Sequence, residues 1–356
     1  MDQWETAADH GDMDDRPAAR ALPTFDDIAA ARDLLAGHLP ATPMWTYPAL
    51  NAAVGVTIYV KHENVQPTGA FKVRGGLTLL AGMSSERRAR GTITYSTGNH
   101  AQSMAYASAA FDAPCTVVMP TTAAASKVRA LGALGATVEL HGPDMAAAQT
   151  RAEEIAAESG QLLVSPGDTP ELIAGVGTAY LEVVEAWPDL DAVIVPIGSG
   201  TGAAGASLVT ARLAPRCRVI GVQSSSAPAA HDSWRSGECV RRPIRTNACG
   251  LATGRGYELP QRVLRTGLAD FHLVDDDQIA DAQRLLASDA HTLAEGAGAA
   301  ALAAILARPD DFAGQRVAVV VTGGNASAAE IAALSVAATD LAATDLAATD
   351  LAAAAA

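Results

Sequence analysis

The sequence predicts an α/β protein built on parallel sheet, and three observations lead there. Short β-branched runs alternate with Ala-rich stretches of helical pattern along most of the chain. Apolar residues make up 49% of the chain and aromatics only 4%, so the core is expected to be Ala, Val, Leu and Ile. Turns rich in Gly, Ser, Thr and Asn stand where several of the β-like runs give way to helical ones. Such alternation argues for parallel strands with helices on both faces. The 356 residues give room for one large or two ordinary domains with a sizeable core.

In chain order, residues 1–20 are polar and acidic and read as a disordered arm without the apolar stretch of a signal peptide. A helical pattern from Asp26 to Ala36 ends before Thr42-Pro43. A β-like run follows at Thr57–Lys61, and the segment around Lys72 opens a helix toward Leu80. Further β-like runs are Thr92–Tyr95, Cys115–Met119, Thr137–Leu140, Leu162–Val164, Ala192–Val195, Arg218–Val222, Phe271–Val274 and Val317–Val321. Between them the 3.6-residue period predicts helices at Ala101–Ala110, Met145–Glu158, Thr178–Ala186, Asp277–Ala287 and Gly298–Ala307. The stretch Ala227 to Ala269 carries few strand signals and is expected to pack over the sheet or mediate assembly. From Thr339 the motif Thr-Asp-Leu-Ala-Ala occurs three times, and so short a period cannot build a core, so residues 338–356 read as a low-complexity tail.

A net charge of −14 argues against a nucleic-acid partner, which would need clustered Lys and Arg. Four cysteines without a C-x-x-C pair suggest neither zinc nor a disulfide framework, and reduced thiols fit a cytoplasmic protein. No apolar stretch reaches bilayer-spanning length, so no membrane role is expected.

The densest chemical signal is Thr68-Gly69-Ala70-Phe71-Lys72-Val73-Arg74-Gly75. A lysine between glycine-containing turns, an aromatic residue and an arginine suits an amine held in a crowded pocket. Desolvation and neighbouring cations lower a lysine's pKa, and the neutral amine can then form a Schiff base with a carbonyl. Two loops sharpen this reading. Gly198-Ser199-Gly200-Thr201-Gly202 follows an apolar strand and opens a helix of small residues, where free N–H groups point at an anion such as phosphate. Gly200 to Gly205 also fits G-x-G-x-x-G, but the next strand ends Gly221-Val222-Gln223-Ser224 without the carboxylate that a dinucleotide ribose requires. A glycine-rich turn serving only tight packing is the plainer alternative. Ser96-Thr97-Gly98-Asn99-His100 offers hydroxyls, an amide and backbone donors, suited to a carboxylate, although Ser96, Thr97 or Asn99 could simply cap a helix. Thr322-Gly323-Gly324-Asn325 follows the last strand, and taken alone it is an ordinary turn. Strand C-terminal ends line the ligand crevice of a parallel sheet, so these loops can converge with Lys72 on one cleft. A lysine with two anion-cradling loops is what a pyridoxal phosphate site needs.

These motifs, in this order, resemble the fold-type II pyridoxal-phosphate-dependent serine/threonine dehydratases, also called threonine ammonia-lyases. The likeness runs from about Asp26 to Ser335 and includes Lys61-His62-Glu63-Asn64, the Lys72 segment, Ser96–His100, Gly198–Gly202, Glu295-Gly296-Ala297-Gly298-Ala299 and Thr322–Asn325. The resemblance implies a tryptophan-synthase-β-like fold: two three-layer αβα domains with mostly parallel sheets and the cofactor between them. The large domain would comprise 21–90 and 167–337, and the small one 91–166. It implies Lys72 as the catalytic Schiff-base lysine, with Phe71, Asn99, Gly198, Ser199, Gly200, Thr201, Gly202 and Thr322 around the cofactor. Asn99 would meet the ring hydroxyl, and Thr322 the pyridine nitrogen. Ser96, Thr97, Gly98, Asn99 and His100 would hold the substrate carboxylate, in a homo-oligomer (a dimer) acting on a small amino acid. Glu295 would stand behind the site or, alternatively, be a solvated carboxylate at a helix start.

Departures from the pattern shape the expectation further. Ser199 and Thr201 stand where the family often has glycine, and Thr322 replaces the commoner serine. Thr97 stands where many dehydratases have alanine and related racemases a serine, which leaves weak racemisation open. Gln223 to Ala229 lacks the carboxylates of metal-dependent relatives, so no metal is expected, and the chain after Asn325 is too short for a feedback-regulatory domain. Dehydration of threonine or serine to a 2-oxo acid and ammonia is the leading expectation. A β-replacement synthase or racemase acting on a serine derivative is the alternative, and a catalytically silent binding protein is the third reading.

Overall fold

The computed structural model describes residues 21–335; the acidic arm 1–20 and the repeat-bearing tail 338–356 lie outside the described residues. Among the described residues, ten strands form two sheets. The first contains β1 (Met44–Thr46), β2 (Thr57–His62), β7 (Ala192–Pro196), β8 (Arg218–Ser224), β9 (Asp270–Val274) and β10 (Arg316–Val321), in the order β1-β2-β10-β7-β8-β9. The second contains β3 (Thr92–Tyr95), β4 (Cys115–Met119), β5 (Thr137–Leu140) and β6 (Leu162–Val164), in the order β5-β4-β3-β6. Every pairing is parallel except that of the edge strand β1 with β2.

The helices are α1 (Phe25–Leu35), α2 (Pro48–Val54), α3 (Val73–Gly82), α4 (Ser85–Arg90), α5 (Asn99–Ala110), α6 (Ala125–Ala133) and α7 (Met145–Ser159). They continue with α8 (Pro170–Ala186), α9 (Thr201–Leu213), α10 (Ala229–Ser236), α11 (Glu258–Gly267), α12 (Asp276–Asp289) and α13 (Gly296–Ala307). Both faces of both sheets are covered. In β7, Ala192 and Ile194 join the cluster with α12 and α13, while Val193 and Val195 join the one with α8 and α9. In β10, Val317, Val319 and Val321 face the first cluster, and Ala318 and Val320 the second. That is why these strands read as continuous apolar runs. Each fully buried valine contributes roughly 1.5–3 kcal/mol relative to exposure. In the second sheet, Val117 and Met119 pack with α3 and α5, whereas Ile93, Tyr95 and Val118 pack with α7. The fold is therefore α/β with two three-layer units.

The strand runs read from the sequence coincide with the observed strands to within two residues at either end. Helix α8 begins at Pro170 rather than Thr178, with proline at its first position, where a missing N–H costs nothing. The edge strand β1 and the helices α2, α4 and α6 carry no separate sequence expectation, because segments this short hold too few periods to stand out. The stretch Ala227 to Ala269 holds α10 and α11, and α11 packs on α9. No described helix is long and apolar enough to cross a membrane.

Candidate active site

The loops that follow β2, β3, β7 and β10 all open on one cleft of about 930 Å3. Lys72 stands at its floor as the residue preceding α3, and the Ser103 hydroxyl of α5 donates to the Lys72 carbonyl at 2.5 Å. Lys72 Nζ donates to Thr201 Oγ1 at 2.6 Å and to Ser199 Oγ at 3.1 Å, and lies 5.2 Å from the centre of the Phe71 ring. Burial lowers its pKa from 10.5 to about 7, because the charged ammonium loses hydration.

The neighbouring arginine has no part in that shift, contrary to the sequence expectation that nearby cations contribute. Arg74 points into a buried ion network behind the lysine. Its Nε and Nη2 donate to Glu63 at 2.7 and 2.8 Å, and its Nη1 donates to Glu182 at 2.7 Å. Lys61 Nζ donates to Glu182 and to the Thr42 carbonyl, and the Thr42 hydroxyl donates to Glu63 at 2.6 Å. Burial alone would raise the Glu63 pKa, but Arg74, with Thr42 and Lys61, holds it below the usual carboxylate value. Two cations and two carboxylates, tied together in a low dielectric, fix the start of α3 and hence the base of Lys72.

Gly198–Gly202 brings the N-terminus of α9 to the cleft. Gly200 has φ of +91°, a left-handed conformation that glycine takes without strain. The first-turn N–H groups of α9 and α5 have no intrahelical acceptor and present positive dipole ends to the cleft. The Thr253 hydroxyl donates to the Gly198 carbonyl at 3.1 Å and steadies this loop. At the second loop Gly98 is the N-cap of α5, so none of Ser96, Thr97 and Asn99 caps that helix from the N-cap position. Ser96 Oγ accepts the Gly98 N–H at 3.2 Å.

His100 lines the cleft, and its ring is tied to Thr94. The Thr94 hydroxyl donates to the Val164 carbonyl at 2.7 Å, so it accepts from His100 Nε2 at 2.8 Å. Burial, and then the Lys72 charge, lowers the His100 pKa to about 3 and keeps the ring neutral.

Thr322 lines the cleft opposite, and its carbonyl accepts the Phe71 N–H at 2.9 Å. Asn99 Nδ2 donates to Glu295 at 2.5 Å, and Asn325 Nδ2 donates to Asn99 Oδ1 at 2.8 Å. Glu295 is only 7% exposed, so it is no solvated helix-start carboxylate, and burial raises its pKa to about 7. Phe71, Lys72, Ser96–His100, Gly198–Gly202, Glu295 and Thr322 are thus gathered on one cleft. Sequence reasoning gave no role to Ser103 or to the Asn325 side chain. Ser103 lies one helical turn after Asn99 on α5, and Asn325 closes the quoted turn, so both signals were present.

The donor set fits pyridoxal phosphate. A lysine amine short of its proton meets an aldehyde, and two hydroxyls with a helix N-terminus meet a phosphate. Such a set of groups can hold an aldehyde cofactor that carries a phosphate. Residues 35–323 match the family described as pyridoxal-phosphate dependent enzyme, and the chain belongs to that family. It is 37% identical over 305 residues to an L-threonine ammonia-lyase of Thermotoga maritima, covering 85% of this chain and 75% of the relative. It is 35% identical over 305 residues to a β-hydroxyaspartate dehydratase of Paracoccus denitrificans, covering 85% and 96%. Among solved structures, serine racemase from Dictyostelium discoideum superimposes with a TM-score of 0.81 at 31% identity, covering 86% of this chain and all of that one. The protein is a fold-type II pyridoxal-phosphate-dependent enzyme whose relatives include ammonia-lyases and dehydratases.

Proposed function

We propose that this enzyme dehydrates and deaminates L-threonine, L-serine or both, giving 2-oxobutyrate or pyruvate and ammonia. The observation that carries the reading is the Lys72 amine, with a pKa lowered to about 7, held against the hydroxyls of Ser199 and Thr201. The cofactor, when bound, supplies an electron sink for negative charge developing at the substrate α-carbon. Ser199, Thr201 and the N-terminal N–H groups of α9 would hold its phosphate, while Asn99 and Thr322 would meet the ring hydroxyl and the ring nitrogen. Ser96, Thr97, Asn99 and the backbone of His100 bind the substrate carboxylate through neutral donors. As the free amine, Lys72 Nζ would accept the α-proton, for which an amine of pKa about 7 is well matched. The Lys72 ammonium would then return that proton to the departing β-hydroxyl, which leaves as water, and the released enamine would take up water to give the 2-oxo acid and ammonia.

The residue spans 21–90 with 167–337, and 91–166, are proposed as its two domains; strands β3 to β6 all fall in the second. The enzyme is further read as a cytoplasmic homo-oligomer, a compartment supported by four unpaired cysteines, Cys115, Cys217, Cys239 and Cys249. The test is 2-oxo acid release from L-threonine, L-serine and 3-hydroxyaspartate, with D-serine formation followed in parallel. Release from threonine or serine at the highest kcat/KM is expected. Preference for hydroxyaspartate would overturn the substrate assignment, and D-serine or a β-replacement product without 2-oxo acid would overturn the reaction.

A further inference from the structure

We propose that Glu295 is a positioning residue for Asn99, fixing that amide so that one N–H of Nδ2 engages Glu295 and the other is presented to the cofactor. The inference rests on the pyridoxal phosphate reading of the cleft. Four observations carry it.

Glu295 occupies the N-cap position of α13, yet its side chain caps nothing. The first N–H of that helix, Gly296 N, is instead taken by Glu330 Oε1 at 2.7 Å. The same oxygen accepts from Gln283 Nε2 at 2.9 Å. A carboxylate from another segment thus does the work usual at a helix start, and Glu295 is released into the cleft wall.

The polarity of the Asn99 amide follows from its partners. Asn325 Nδ2 donates to the Thr68 carbonyl at 2.8 Å, and a carbonyl can only accept, which identifies the nitrogen of Asn325. That nitrogen also donates to Asn99 Oδ1, so the oxygen of Asn99 faces Asn325 and its nitrogen faces Glu295. An NH2 group has two donors, and Glu295 uses one.

The pair is also packed as a unit. A Cβ at Gly323 would run into Glu295 Oε1 and come within 3.1 Å of Asn99 Nδ2, so only glycine lets the turn after β10 close over them. Finally, a carboxylate is kept here despite its cost. Burial raises its pKa, Glu330 raises it further, and Asn99 and Lys127 act in the opposite sense. Perturbed groups of this kind cluster at functional sites.

The experiment measures the Kd for pyridoxal phosphate by absorbance titration of the cofactor-free protein, with thermal melts alongside, for wild type, E295A, E295Q and the double variant E295Q/N99D. E295A should raise Kd about tenfold, the scale of one charge-assisted hydrogen bond. E295Q should stay within about threefold of wild type, because its amide oxygen still accepts from Asn99. In E295Q/N99D the polarity of the pair is reversed, with the introduced amide donating and the introduced carboxylate accepting. It should melt like wild type, yet keep a Kd raised about tenfold or more, because the N–H facing the cofactor is gone. Tight binding by E295A, or by the double variant, would overturn the proposal, as would equal impairment of E295A and E295Q. If E295A fails to fold, the double variant decides alone. Borohydride reduction of the loaded wild type separates the two layers. A label on Lys72 with an unmoved E295A sinks only this inference, whereas no label in wild type sinks the site reading beneath it.

Discussion

Burial of Lys72 should show itself as a pH dependence of cofactor capture. Only the neutral amine attacks an aldehyde. With a pKa of about 7, half of the Lys72 amines are neutral at pH 7, whereas a lysine at the ordinary 10.5 has about one in three thousand neutral. The structure therefore gives Lys72 an advantage of more than about a thousandfold in neutral amine at pH 7. The sign is fixed by the direction of the shift: capture should accelerate as pH rises through about 7 and level off above it. The assay is stopped-flow absorbance of pyridoxal phosphate mixed with cofactor-free enzyme from pH 5.5 to 9.5 (assay settings spanning the shift). Dividing by the rate for a free lysine analogue in the same buffers, after that rate is corrected for the analogue's own neutral fraction, cancels the cofactor's own ionisations. Lys72→Arg is the blank, since a guanidinium stays protonated across this range. A wild-type rate that still climbs about tenfold per pH unit between 8 and 9.5 would show an ordinary lysine and refute the burial argument.

Four shorter predictions follow from the same geometry. Borohydride reduction and peptide mapping should place the pyridoxyl group on Lys72; Lys61 is committed to Glu182 and Lys127 contacts Cys249, so a label on either would sink the assignment. Arg74→Met strands the buried Glu63 and leaves the half-buried Glu182 with Lys61 alone, which should cost about 3–5 kcal/mol in denaturant unfolding, and a loss under about 1 kcal/mol would show that the network is dispensable. Chelators should leave activity unchanged. Gln223 Oε1 accepts the N–H groups of Ala230 and His231 at 3.0 Å each, so a neutral amide holds the start of α10, and activity lost to EDTA and restored by magnesium would contradict this. Thr322→Ser should be nearly neutral, whereas Thr322→Asp should slow 2-oxo acid release relative to solvent deuterium exchange at the α-carbon. An unchanged ratio in the aspartate variant would remove Thr322 from the ring nitrogen.

Much of this protein was legible in its sequence because the signals are local. A parallel strand buried on both faces needs an uninterrupted β-branched run, and Val317–Val321 can be little else. The glycine- and hydroxyl-rich loops were equally visible, since each stands at a strand-to-helix junction, where a parallel sheet opens its crevice. Short elements escaped: β1 has three residues and α4 six, too few for a period to declare itself. What the tertiary structure alone decided is which neighbours in sequence are neighbours in chemistry. Lys72 and Arg74 are two residues apart, yet the lysine faces Ser199 and Thr201 while the arginine turns to Glu63 and Glu182. Asn99 and His100 are adjacent, yet one side chain meets Glu295 across the cleft wall and the other is locked to Thr94. Glu295 stands at a helix start in the sequence, and only the arrival of Glu330 from the chain's last described segment frees it from capping. Residue type sets what a side chain can do. The direction it takes depends on partners 100 residues or more away, such as Glu182 for Arg74 and Glu295 for Asn99, and no local pattern encodes that pairing.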